Sequence, residues 1–202
     1  MSNLEQRIEE LVEAGLALHA QGLVPATSGN FSARLDDGNY AITVSGRHKG
    51  KLEPTDIMRI DADGKSLDHR RPSAETLLHV DIYNRYAEAQ LILHPHSVSA
   101  TVLSRLSGPE VVLSGYEILK AFPGIDTHNI ECHIPVLDND QDISRLAKKV
   151  ATTITQDHRL PCYIIRGHGY YTWGDSLDAV LRHVEALEFL FECELRLRGI
   201  RQ

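Results

Sequence analysis

The sequence predicts an α/β fold: a mixed, mainly antiparallel central sheet covered by helices on both faces, in an α/β/α layering. Three observations predict it. Short strands joined by a hairpin turn come early in the chain. Apolar strand-like runs alternate with helical stripes later. No repeat, low-complexity stretch or linker divides the 202 residues, a length that suits one domain, residues 1–202, with a sizeable core.

The elements follow in order. Leu4, Ile8, Leu11, Val12 and Leu18 mark a helical stripe from Leu4 to Gln21, which Gly22 ends. Turn residues from Pro25 to Asn30 lead into a strand from Phe31 to Leu35. Asp36-Asp37-Gly38-Asn39 reads as a hairpin turn, returned by Tyr40 to Val44. A strand from Ile57 to Ile60 ends at the turn Asp61 to Gly64. Ser73 is placed to N-cap a helix carrying Leu77, Leu78 and Ile82. The strand Leu91 to Leu93 follows, then helix Val98 to Leu106, strand Val111 to Leu113 and a short helix Tyr116 to Ala121. Ile143, Leu146, Ala147, Val150 and Ile154 mark another helix. Cys162 to Ile165 is a buried-type strand, and Tyr170 to Trp173 its antiparallel continuation. The last helix runs from Leu177 to Leu197, its apolar track serving either the core or a subunit interface.

Bulk composition excludes several classes. The formal net charge of −7 argues against a nucleic-acid partner, whose phosphate backbone attracts a basic face. Only a local nest of donors is needed for a small phosphorylated substrate. The segment from Met1 to Leu11 is acidic and polar, unlike a signal peptide, and no apolar run approaches the ~20 residues that span a bilayer. Cys132, Cys162 and Cys193 form no CxxC pair and read as free thiols of a reducing compartment. A cytoplasmic protein without membrane partners is expected.

The chemistry concentrates in His94-Pro95-His96-Ser97, at the end of an apolar run. In extended backbone residues i and i+2 share a face, so both imidazoles can enter one pocket. His168, flanked by Gly167 and Gly169 at the mouth of a later strand, can complete a three-histidine metal site. Three protein ligands leave an open position, which is the mark of a catalytic centre.

Two further constellations are Thr27-Ser28-Gly29-Asn30 and the run from Thr43 to Lys51, which contains Ser45, Gly46, Arg47, His48, Lys49 and Lys51. They are either turns with a solvated basic face or a cradle of hydroxyls, backbone N–H groups and cations for phosphate. Glu75 and Glu117 are the candidate acid/base carboxylates, each of which could equally be an exposed helix residue. His19, His69, His79, His128, His133, His158 and His183 lack paired spacing and read as surface or core histidines. Asp138-Asn139-Asp140 reads as a turn, without the spacing of a calcium loop.

The ordered set Gly29-Asn30, Ser45-Gly46, Pro72-Ser73-Ala74-Glu75, His94-Pro95-His96-Ser97 and Gly167-His168-Gly169 resembles the class II aldolase/adducin family over nearly the whole chain. The stretches 25–32, 45–50, 138–143, 166–174 and 185–192 are most similar to a branch whose members dehydrate a phosphorylated sugar. The resemblance implies that family's α/β/α fold and a homotetramer with active sites near subunit interfaces. It implies zinc, one ion per subunit, on His94, His96 and His168. Phosphate of a sugar-phosphate substrate would lie on Asn30, Ser45, Gly46 and Ser73. In the aldolases the acid/base follows a Ser-Ser pair, which maps to Glu75, although Ala74 departs from that pattern. In the dehydratase branch it follows the histidine pair, which maps to Glu117, the preferred residue here. An aldolase or epimerase, or an adducin-like binding scaffold, are the competing readings.

Overall fold

The computed structural model describes residues 3–154 and 159–200; His158 lies outside the described residues. Its elements are α1 (Leu4–Ala20), β1 (Asn30–Arg34), β2 (Tyr40–Thr43), β3 (Ile57–Ile60), α2 (Thr76–Arg85), β4 (Leu91–His94), α3 (Val98–Leu106), β5 (Glu110–Ser114), β6 (Glu131–Leu137), α4 (Ile143–Thr153), β7 (Cys162–Ile165), β8 (Gly169–Gly174) and α5 (Leu177–Ile200). The strands form one sheet in the order β3-β2-β1-β4-β8-β7-β6-β5. Every neighbouring pair is antiparallel except β6 and β7, which run parallel.

The period of two divides the sheet residues between two faces. Ile42, Ile92, Tyr163, Ile165, Tyr171 and Trp173 face α2 and α4. Phe31, Ala33, Ala41, Leu91 and Leu93 face α1 and α5, and Cys162, Ile164 and Tyr170 face α3 and α5. Helices therefore cover both faces, as the sequence predicts. No described helix is long and apolar enough to cross a membrane.

Three local readings differ from expectation. Strand β6 has no counterpart in the sequence reading; Pro135 interrupts its otherwise alternating run. Its missing N–H is tolerated because β6 pairs with β7 only from Val136 onward. The short helix at 116–121 is a 3-10 turn, Glu117–Ala121. Helix α2 starts at Thr76 rather than just after Ser73. The Ser73 hydroxyl instead accepts from the Glu75 N–H (3.2 Å), and the Ser73 carbonyl accepts from the Thr76 hydroxyl (2.7 Å). This extra turn keeps Glu75 at the helix mouth, off the helical faces. By contrast Ser97 and Asp142 cap α3 and α4 by accepting from Ala100 N and Arg145 N.

Close approach of α1 to the 3-10 turn Lys49–Lys51 needs two glycines. A Cβ at Gly15 would lie 2.4 Å from the Lys49 carbonyl oxygen, and one at Gly50 would lie 2.2 Å from the His19 ring. The turn is thereby pressed against the first helix, which fixes where Lys49 sits.

Candidate metal centre

Three sheet features converge at one end of the molecule. Strand β4 ends on His94, β1 begins on Asn30 directly opposite it, and the β7–β8 turn carries His168. Gly167 takes φ +67° in that turn, a conformation that costs glycine little. Helix α2 opens toward the same place with Glu75 at its mouth. One ligand atom from each of Glu75, His94, His96 and His168 lies within 4.8 Å of the others. The three histidines picked out by spacing are therefore brought together, and Glu75 joins them.

Each ligand is held from behind. The His94 ring is fully buried, and its Nδ1–H donates to the Tyr170 carbonyl (2.8 Å), which leaves the Nε2 lone pair facing the cluster. Tyr171 stacks on the same ring at 4.1 Å between centroids. The His96 backbone N–H donates to the Leu23 carbonyl (2.8 Å). His94 Nε2 and His96 Nε2 stand 2.9 Å apart. Glu75 Oε2 lies 3.3 Å from His94 Nε2, and Glu75 Oε1 lies 3.5 Å from His168 Nε2. Ligands at the usual 2.0–2.2 Å from a tetrahedral ion are spaced by about 3.3 Å, so this donor set fits one transition-metal ion.

Electrostatics agree. Burial, reinforced by the neighbouring imidazoles, pulls the His96 pKa down to about 3, and burial lowers that of His168. Both rings are thus neutral at pH 7, the form that ligates metal. Burial pushes the Glu75 carboxyl up, but positive charge at His94 and His168, which a bound ion would supply with the rings neutral, and the Asn30 amide outweigh it and hold the group below the usual carboxylate range.

Behind Glu75 runs a buried polar chain. Asn30 Nδ2 donates to Glu75 Oε2 (2.7 Å), and Asn30 Oδ1 bonds His79 Nε2. His79 Nδ1 meets the Ser32 hydroxyl at 2.7 Å, and that oxygen meets the Tyr83 hydroxyl at 2.9 Å. Burial pulls His79 down to about 3, so its ring is neutral. With one N–H available, Nε2 donates to Asn30 and Nδ1 accepts from Ser32. His79 is a core residue as expected, but one tied to the site through Asn30, a link that its isolated position in the sequence does not reveal.

A cavity of about 290 Å³ opens beside the cluster. Asn30, Ser45, Gly46 and Ser73 all line it, together with Glu75, His96 and His168. So do Lys49, one of the cations of the run read as a possible phosphate cradle, and residues 139–141, which the sequence reads as a turn within a family-like stretch. Glu117 is elsewhere: it is exposed on its 3-10 turn and pairs with Lys120 (2.5 Å) and His128 (3.4 Å).

Gly169 supports both histidines of the pair. A Cβ there would lie 2.3 Å from the Pro95 carbonyl oxygen and 3.1 Å from both His94 Cε1 and His96 Cδ2. Gly169→Ala should cost about 1–3 kcal/mol by overpacking. Disturbed ligand positions should weaken metal affinity by roughly 10–100-fold. Thermal unfolding and chelator competition measure the two; an unchanged metal affinity would show that the ligands tolerate the shift.

Comparison with known proteins bears on this centre. A family model described as "Class II Aldolase and Adducin N-terminal domain" matches residues 9–195. A protein of Methylococcus capsulatus named methylthioribulose-1-phosphate dehydratase is 57% identical over 201 residues, covering 100% of this chain and 98% of its own. A protein of the same name from Pseudomonas paraeruginosa is 50% identical, covering 98% of each chain. Among solved structures, an L-fuculose-1-phosphate aldolase from Thermus thermophilus superposes with a TM-score of 0.77 at 27% identity, covering 97% of each chain. Another L-fuculose 1-phosphate aldolase reaches 0.81 at 22% identity over 98% of this chain and 88% of its own, a likeness of fold alone. With the family model matching residues 9–195 and full-length relatives at 50–57% identity, this chain belongs to the class II aldolase and adducin family.

Proposed function

We propose that the chain is a zinc-dependent hydro-lyase that dehydrates 5-methylthioribulose 1-phosphate to 2,3-diketo-5-methylthiopentyl 1-phosphate, a step of methionine salvage. The observation that carries this reading is a three-histidine centre in a chain matched end to end, at 57% identity, by a methylthioribulose-1-phosphate dehydratase. His94, His96 and His168 hold one zinc ion per subunit. When bound, zinc supplies Lewis acidity to the carbonyl end of the substrate.

The remaining work falls to side chains. Ser45, Gly46, Ser73 and the second amide N–H of Asn30 receive the phosphate, whose binding energy orients the reacting carbons. A carboxylate removes the C3 proton and assists departure of the C4 hydroxyl as water; the enol then tautomerises to the diketone. Glu117 is assigned that role. Because its carboxylate is exposed and outside its own chain's cavity, it serves the substrate of a neighbouring copy in a homotetramer. Exposed Val98, Val102 and Leu106 on α3, with Val112 and Ile118 beside the Glu117 turn, offer an apolar face for that contact. Glu75 stays with the metal as a second active-site carboxylate. The chain works as one cytoplasmic catalytic unit.

Glu75 also favours a second reading, a sugar-phosphate aldolase, since it lies where the aldolases keep their acid/base. Mass spectrometry separates the two. Zinc-loaded protein mixed with 5-methylthioribulose 1-phosphate should yield a product lighter by one water. Unchanged substrate from folded, zinc-replete protein would overturn the dehydratase, and dihydroxyacetone phosphate released from other sugar phosphates would establish the aldolase.

A further inference from the structure

Of the cations in the run from Arg47 to Lys51, one is set apart. Arg47 is more than half exposed and pairs with Asp56 at 3.1 Å, and Lys51 is exposed. Lys49 is 1% exposed. Lysine is almost never that buried without a counter-charge. Its Nζ donates to the Thr27 carbonyl (3.2 Å) and the Arg47 carbonyl (2.6 Å), two neutral acceptors. Asp56, the carboxylate whose field reaches it, is engaged by Arg47. Two acceptors leave one of three N–H bonds unused. Burial pulls the amine down to about 8, so it is still mostly charged at pH 7.

Lys49 lines the cavity together with Ser45, Gly46, Ser73 and Glu75, and the charge of its ammonium is felt at His96. The two carbonyls belong to the two loops that flank this cavity, so they aim the ammonium between them. Close packing of the turn on α1, at Gly15 against the Lys49 carbonyl and at Gly50 against His19, holds the lysine backbone in place.

We infer that Lys49 is the cation that binds the phosphate of the substrate, and that this phosphate is the counter-ion its burial calls for. The inference rests on the phosphorylated-substrate reading above, but its test does not depend on turnover. A charge-assisted hydrogen bond from a fixed ammonium carries phosphate selectivity that hydroxyls and backbone N–H groups alone do not.

The test is titration calorimetry of the zinc-loaded, desalted protein with inorganic phosphate. Lys49→Met, which keeps the length and removes the charge, should bind phosphate roughly tenfold to a hundredfold more weakly. Lys51→Met, two residues away on the surface, should bind like the unaltered protein, and zinc content should be unchanged in both. On the enzymatic side, Lys49→Met should lose its discrimination between the sugar phosphate and the unphosphorylated sugar, whereas a purely structural staple would lower both activities alike. Equal phosphate affinity in Lys49→Met and unaltered protein overturns the inference, as does an unaltered protein that binds no phosphate. Should Lys49→Met fail to fold, NMR of the unaltered protein labelled at lysine Cε decides. A lysine signal that shifts with phosphate and is missing from Lys49→Arg supports the inference, and no shift overturns it. Protein that binds phosphate through Lys49 without dehydrating the sugar would refute the dehydratase and leave the inference standing.

Discussion

His96→Ala is expected to yield a folded protein that neither retains zinc nor turns over. His96 lies beyond the last residue of β4, so the sheet pairing survives the change. The metal centre does not survive it. His94 Nε2 would lose the nitrogen 2.9 Å away, and the set would fall to two histidines and a carboxylate. A Lewis acid contributes several kcal/mol to stabilising developing charge, so a loss of about a thousandfold or more in kcat/KM should follow. Metal analysis after gel filtration, circular dichroism and product assay measure the three consequences. A variant that keeps stoichiometric zinc and normal turnover would remove His96 from the ligand set.

The second large effect concerns the carboxylates. Glu117→Gln should lower kcat by roughly 10²–10⁴-fold with zinc retained, the usual range for a positioned acid/base. Glu75→Gln should instead weaken the metal site as well, because its carboxylate contacts His94 and His168 and accepts from Asn30. The proposal that Glu117 acts across a subunit boundary has its own signature. Oligomers reassembled from His96→Ala and Glu117→Gln chains should regain activity that neither parent has. Some of their sites pair an intact histidine set with an intact carboxylate from the neighbour. No recovery in verified mixed oligomers would exclude that route.

The metal centre was the most legible part of the chain because its geometry is local. His94 and His96 obey the period of two, and glycines flank His168. The fold was legible for a similar reason, since most strands carry uninterrupted apolar patterns. Pro135 breaks such a pattern in β6. What resisted reading was long-range. Nothing beside Lys49 in the chain distinguishes it from Arg47 or Lys51; only packing against α1 buries it. His79 and Tyr83 look like ordinary members of a helix, and their tie to Asn30 exists only once β1 lies against α2. Glu75 and Glu117 were separable only by placing α2 and the turn after β5 in space.

The buried chain from Tyr83 through Ser32 and His79 to Asn30 has a consequence for anyone seeking a sturdier version of this protein. Each member occupies a core position where an apolar residue of similar size would satisfy the packing, so a stability screen would favour Tyr83→Phe, Ser32→Ala or His79→Leu. His79→Leu removes the donor that fixes the Asn30 carbonyl, and Ser32→Ala removes the donor that fixes the His79 tautomer, so either frees the Asn30 amide to flip and offer its carbonyl oxygen to a carboxylate that needs a donor. Heat resistance and turnover would then be selected in opposite directions by residues that never meet the substrate.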